Sequence, residues 1–186
     1  EAPVRRKGNG TLPQPGADPE AGWLPAPVPF EAMPHARDPE AGFIATANNK
    51  PLRDGDGPEL GGDWLDGYRA GRIVEALSER RDWDVESTLR LQLDEVSLPW
   101  REIRDAVLAL TPSTPEAGLG LALLRDWDGV VSVDSPAATV YERFVIEVWR
   151  RIARARAPRS HQYALGRGFA DLLPVTTFAA GRSSRM

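Results

Sequence analysis

The feature that most constrains the fold is a proline-rich segment at residues 1–41. Each proline fixes its φ at about −65° and has no backbone N–H, so neither a helix nor a central strand can run through the segment. Apolar side chains such as Trp23 and Phe30 are interspersed along it, which argues against simple disorder. We therefore predict an extended strap over residues 1–41 that lies across a surface. Its nine prolines are Pro3, Pro13, Pro15, Pro19, Pro25, Pro27, Pro29, Pro34 and Pro39.

A short apolar run follows the strap and ends on two adjacent asparagines, in the stretch GFIATANNKP at residues 42–51. The run predicts a short strand over residues 42–48, which Lys50 and Pro51 terminate. Residues 52–63, LRDGDGPELGGD, follow as a loop rich in glycine and aspartate. The DGDG within it resembles part of a calcium loop, but the complete EF-hand pattern is absent, which favours a solvated turn.

Helical periodicity begins at residue 64 and predicts a helical subdomain over residues 64–160. The chain is therefore expected to be mainly α with a short β element, an α+β fold. Residues 161–186 are expected to form a C-terminal loop segment. Five helices are predicted: over 64–80, over 84–98, from Pro99, from Thr114 to about Trp127, and over 136–156. The second has an apolar stripe formed by Val85, Leu89, Leu93 and Val96.

The composition excludes several kinds of site. The chain has no cysteine and only two histidines, His35 and His161, which excludes disulfides, thiolate metal sites, a cysteine nucleophile and a histidine-rich metal site. The net charge of −4 argues against non-specific binding of nucleic acid, and no apolar run approaches the length of a membrane span. The arginines at 150–159 are interpreted as a solvated helix face or a surface for an acidic partner.

The asparagine pair admits two interpretations. An asparagine amide has two N–H donors and cannot be deprotonated at working pH. At the end of a strand beside a reacting carbonyl, it can therefore donate to the oxygen that becomes negative during acyl transfer. Alternatively, Asn48 and Asn49 only cap the strand and form the turn at Pro51, because asparagine is common in turns.

Four motifs that occur in order, VRRKGNGTLPQPG, GWL…VPFEAMPH, DPEAGFIATANNKP and DWLDGYRAGRI, resemble the middle of the β-subunit of the penicillin acylase (penicillin amidase) family. The members are N-terminal nucleophile hydrolases. LLRDWDG…DSPAATVYERF and LGRGF continue the resemblance over nearly the whole chain. The resemblance implies an internal fragment of a four-layer αββα fold.

The resemblance also implies roles for individual residues. Asn48 is similar to the residue whose side-chain amide completes the family's oxyanion hole, and Asn49 is expected to be structural. Arg69, in DGYR, resembles an arginine that helps to hold the asparagine and the nucleophile in place. No cofactor is required, but some members bind a structural calcium ion through an acid in the loop after the asparagines. Glu59 or Asp56 lies at that place, although the length of the loop departs from the best-known pattern.

The implied activity is hydrolysis of a linear amide by a longer parent protein. The family's nucleophile is the N-terminal Ser, Thr or Cys of the β-subunit, whereas this chain begins with Glu1 and lacks an initiating methionine. We therefore expect an excised piece that is inactive alone and has the α-subunit and the other β-subunit segments as partners. The resemblance implies a periplasmic or secreted parent.

The substrate stays open among β-lactam side-chain amides, including those of cephalosporins, acyl-homoserine lactones and lipopeptides. A second interpretation is a non-enzymatic helical module that binds a protein partner through the strap and the Arg-rich helix.

Overall fold

Helices dominate the computed structural model, which describes residues 2–10, 12–62 and 64–164. The prediction of a mainly α chain is confirmed. Of the predicted C-terminal loop segment, only a short helix is described, and the rest lies outside the described residues. The helices are α1 (Tyr68–Glu79), α2 (Val85–Gln92), α3 (Leu98–Leu108), α4 (Pro115–Arg125), α5 (Pro136–Arg156) and α6 (His161–Ala164), with a 3₁₀ turn at Phe30–Ala32.

The chain divides into two compact units, with the boundary between Ala70 and Gly71. In the first unit, the beginning of the strap folds back along a later part of the same strap. Leu24 N–H donates to the carbonyl oxygen of Val4 at 2.7 Å, and the Arg5 guanidinium lies 4.3 Å from the centroid of the Trp23 ring. The strap therefore has internal backbone pairing, although its prolines exclude a continuous ladder.

The strand predicted over residues 42–48 is not formed. The described residues contain only isolated bridges between residue pairs, and one of these joins Asn49 to Leu65. An extended segment becomes a strand only when a ladder of hydrogen bonds joins it to a neighbour. Here Gly42 and Asn48, with φ of 78° and 61°, bend the chain at both ends of the run, which limits the length that a neighbour can pair with.

Two predicted helices are shorter than their patterns suggest, because side chains and backbone near their ends have other partners. The helix predicted from residue 64 begins at Tyr68, since Leu65 N–H donates to the carbonyl oxygen of Asn48 at 2.9 Å. The helix predicted to continue to residue 98 ends at Gln92. Beyond it, the Asp94 carboxylate accepts from Val96 N–H at 3.1 Å.

The core of the second unit lies between α3, α4 and α5. Trp100 is 1% exposed, and its ring centroid lies 5.2 Å from that of Trp127 and 5.4 Å from that of Tyr141. Gly129, with φ of 84°, packs directly against this core, since a Cβ there would lie 2.9 Å from Cδ1 of Trp100. Each of these helices begins at a hydroxyl that accepts a backbone N–H, followed by a proline in the first turn; the capping residues are Ser97, Thr114 and Ser135.

Of the apolar stripe predicted on the second helix, Val85 and Leu89 lie in α2, Leu93 is its C-cap and Val96 lies beyond its end. The first three of these side chains are not buried. Val85, Leu89 and Leu93 are 88%, 52% and 70% exposed. Helical periodicity reports which residues share a face, and it does not report whether the same chain supplies the surface that covers them.

An ion-pair network connects α1 with the segment after α2. Arg72 donates from Nε and Nη2 to the two carboxylate oxygens of Asp94 at 3.0 and 2.7 Å, and both side chains are largely buried. Arg72 also contacts Glu75, which accepts from Arg101 at 2.7 Å. The hydrogen bonds from Arg72 hold the pKa of Asp94 below its usual value.

This network makes stability depend on the charge of Asp94. Asp94→Asn should lower the free energy of unfolding by about 1–2 kcal/mol at pH 7, since a charge-assisted bidentate pair is replaced by neutral hydrogen bonding. Because the pKa is lower in the folded state, this contribution is complete above the unfolded value of about 3.9 and is lost as the pH falls through the folded pKa. Chemical denaturation of wild type and variant at pH 7 and at about pH 3 measures both effects.

Asp82→Asn is the matched control. Asp82 pairs with Arg80, but its side chain is 83% exposed, so its replacement should change stability little. An Asp94→Asn effect that is equally large at both pH values, or no larger than that of Asp82→Asn, would contradict the assignment.

Candidate functional site

The candidate site lies where the apolar run ends beside the segment that leads into α1, within the first unit. Ala47 is buried, with 7% of its surface exposed. The next residue, Asn48, is anchored through its carbonyl oxygen by Leu65 N–H, and Asn49 is bridged to the same Leu65. These contacts place the asparagine pair beside the residues that immediately precede α1.

Arg69 lies in the first turn of α1 and contacts the end of the apolar run. Its Nη2 donates to the carbonyl oxygen of Ala47 at 3.0 Å and to Oδ1 of Asn48 at 2.8 Å. The two predicted site residues, 21 positions apart in the chain, are therefore in direct contact. One guanidinium nitrogen holds both the backbone before Asn48 and the side chain of Asn48.

This contact determines which way the Asn48 amide faces. A guanidinium only donates hydrogen bonds, so the atom of the amide that faces Arg69 must be the oxygen. The Nδ2 group therefore points away from Arg69. In the described part of the chain it has no hydrogen-bond acceptor, and Asn48 is exposed. The arrangement presents two neutral N–H donors next to a fixed positive charge, which suits an oxygen atom that acquires negative charge.

The backbone of Asn48 is in the left-handed region, with φ of 61°. Among residues with a side chain, asparagine and aspartate tolerate this region best. The Asn49 side chain spans the bend: its Oδ1 accepts from Ala47 N–H at 3.0 Å, and its Nδ2 donates to the carbonyl oxygen of Lys50 at 3.2 Å. These two hydrogen bonds are the contacts through which Asn49 would have the expected structural role. The residue types alone did not indicate them.

The predicted calcium ligands do not assemble into a site among the described residues. Oε1 of Glu59 accepts from the backbone N–H of Gly61 at 3.1 Å, and Asp54 in the same loop pairs with Lys50. The described ranges contain no group of three or more metal-ligating side chains. The residues described here therefore do not fit a calcium ion by themselves, and a role for Glu59 or Asp56 stays a prediction.

Over the residues described, no helix has the length and apolar character that a membrane crossing needs.

Comparisons with known proteins are consistent with the resemblance in the motifs. The penicillin amidase family matches residues 1–182. The penicillin acylase 2 proenzyme of Pseudomonas sp. (strain SE83) is 35% identical, over 76% of this chain and 18% of that protein. Acyl-homoserine lactone acylase QuiP of Pseudomonas aeruginosa is 30% identical, over 81% of this chain and 19% of that protein. QuiP of Pseudomonas putida is 33% identical, over 80% and 20% respectively. The chain spans about a fifth of the length of these curated relatives.

Proposed function

The chain belongs to the penicillin amidase family, and from this membership and the geometry around Asn48 we propose that it supplies an oxyanion-binding amide to an amide hydrolase. Asn48 is the donor and Arg69 is its positioning residue. The observation that supports this proposal best is the 2.8 Å hydrogen bond from Arg69 to Oδ1 of Asn48, because it turns the donor end of the amide outward.

In the proposed reaction, the N-terminal serine of the β-subunit, which another segment of the protein supplies, attacks the carbonyl carbon of a linear amide. The α-amino group of the serine accepts the hydroxyl proton. The carbonyl oxygen becomes negative and accepts hydrogen bonds from Nδ2 of Asn48 and from a backbone N–H elsewhere in the protein. The C–N bond then breaks, the amine leaves with the proton, and water hydrolyses the acyl-enzyme. A donor in this position lowers the barrier by roughly 3–4 kcal/mol.

The proposed substrates are small N-acyl compounds. The names of the relatives include a penicillin acylase and acyl-homoserine lactone acylases, and both substrate types carry an acyl group on an amide nitrogen. Which of the two the protein prefers depends on side chains that contact the acyl and amine portions of the substrate.

The proposed setting is a longer protein with a four-layer αββα fold, in which this chain associates with the α-subunit and other β-subunit segments. One relative is named as a proenzyme, which supports processing of a precursor. A periplasmic or secreted location is part of the same proposal.

The activity can be tested with the full-length protein that contains this chain. We expect primary amine release from penicillin G, from an N-acyl-homoserine lactone, or from both, detected with an amine-reactive fluorophore. Opening of the β-lactam or lactone ring, measured in parallel, distinguishes amide hydrolysis from ring hydrolysis. Ring opening without amine release would contradict the proposed reaction. Absence of turnover on every N-acyl compound tested would favour the non-enzymatic binding module.

A further inference from the structure

The side chain of Asn49 differs from that of Asn48 in where its polar atoms lie. Both ends of the Asn49 amide contact the backbone: Oδ1 accepts from Ala47 N–H at 3.0 Å, and Nδ2 donates to the Lys50 carbonyl oxygen at 3.2 Å. Asn49 is also less exposed than Asn48. The second asparagine therefore faces the protein backbone, whereas the first presents its Nδ2 to the surroundings.

The contacts of Asn49 lie on both sides of a residue whose backbone conformation needs support. Asn48 has φ of 61°, and left-handed backbone is unfavourable for residues with a Cβ unless the surrounding structure holds it. The hydrogen bond from Ala47 N–H to Oδ1 of Asn49 closes a ring of atoms around Asn48. The Leu65 N–H fixes the Asn48 carbonyl oxygen from the other side.

A change of φ at Asn48 would move its amide relative to Arg69. The side chain branches from Cα, so a rotation about the N–Cα bond swings Nδ2 relative to the preceding backbone. Arg69 holds Oδ1 of Asn48 and the carbonyl oxygen of Ala47 with one nitrogen. With φ of 61° at Asn48, both acceptors lie within hydrogen-bond distance of that nitrogen.

We propose that Asn49 is a positioning residue that holds Asn48 in the left-handed conformation and so aims the Nδ2 donor of Asn48 at the oxyanion. The inference rests on the proposed function of Asn48. Asn49 does not act on the substrate itself, because its amide is directed to the backbone on either side of its neighbour. The adjacent pair then works as a unit in which the first asparagine donates and the second holds the geometry.

The test is a double-mutant cycle in the full-length enzyme, with kcat and KM measured for wild type, Asn49→Ala, Asn48→Gly and the double variant. Asn49→Ala should lower kcat by about fivefold, the factor that corresponds to the typical net strength of the hydrogen bond that Oδ1 accepts from Ala47 N–H, with KM changed less than about twofold. In the Asn48→Gly background, Asn49→Ala should cause no further loss of kcat, because the group that it positions is already absent.

Asn49→Asp is the conservative variant, since it retains the oxygen that accepts from Ala47 N–H. It should keep a higher kcat than Asn49→Ala, and it keeps the inference testable if Asn49→Ala does not fold. Unchanged kcat in both variants, or an equal loss from Asn49→Ala with and without Asn48, would overturn the inference. Failure of the proposed function appears separately, as near-normal turnover in Asn48→Gly alone.

Discussion

Replacing Asn48 with glycine should lower kcat of the full-length enzyme by about 10²–10³, the loss expected when one side-chain donor of an oxyanion hole is removed. The donor is needed in the transition state, where the oxygen carries its charge, so KM should change much less. Glycine is the informative substitution because it adopts a φ of 61° without steric cost. Steady-state kinetics of amide hydrolysis, together with a denaturation curve for each variant, measure the effect.

Two further variants at this position separate loss of the donor from strain. Asn48→Ala removes the same amide and keeps a Cβ in left-handed backbone without the polar side chain that makes asparagine tolerant there, which costs roughly 1–2 kcal/mol. If the fold tolerates that cost, its kcat should equal that of Asn48→Gly. Asn48→Asp tolerates the backbone but replaces the donor with a carboxylate beside Arg69, so its kcat should fall at least as far as that of Asn48→Gly. Near-wild-type turnover in Asn48→Gly would refute the role of Asn48.

Replacing Arg69 with methionine should lower kcat by about 10², because a displacement of the donor by about 1 Å is enough for a loss of that size. Methionine retains apolar length but donates to neither the Ala47 carbonyl oxygen nor Oδ1 of Asn48. The Asn48 amide is then free to turn, and its oxygen can face the developing oxyanion. The measurement is again kcat for amide hydrolysis, with stability determined in parallel.

Arg69→Lys and Arg37→Met are the controls for this effect. Lysine keeps the positive charge but ends one atom short of Nη2, so its kcat should lie between those of wild type and Arg69→Met. Arg37 belongs to the same unit and is 94% exposed, so Arg37→Met should leave kcat unchanged. Equal kcat in Arg69→Met and wild type would show that the hydrogen bond from Arg69 to Oδ1 of Asn48 is not needed to position the amide.

The sequence predicted the helical part of the fold best where start signals are local. Ser135 followed by a proline predicted the long helix over 136–156, and α5 spans Pro136–Arg156. The beginning of α1 and the end of α2 were not predictable, because each depends on a contact between residues distant in sequence. Leu65 bonds to Asn48, and Asp94 pairs with Arg72. The predicted stripe of the second helix is a similar case: Val85 and Leu89 share α2 as predicted, but their burial depends on what covers them.

The candidate site was predictable only in part. The motif resemblance identified Asn48 and Arg69, and the structure brings them into contact. No pattern in the residue types indicated the left-handed φ of Asn48 or the contacts that Asn49 makes across it. Those depend on a bend that becomes visible only when the backbone is known. An adjacent pair of asparagines is also common in ordinary turns.

The aromatic cluster in the second unit also provides an optical signature of folding. Tyr141 lies 5.1–5.4 Å from two indole rings, close enough for excitation energy to pass to them. Trp100 is 1% exposed, and its Nε1 has no acceptor among the described residues. We therefore expect its fluorescence emission at short wavelength. Unfolding separates the rings and shifts that emission to longer wavelength. None of the substitutions at Asn48, Asn49 or Arg69 alters a ring of this cluster, so a change in the emission of its rings in any of these variants reports a change in the core of the second unit.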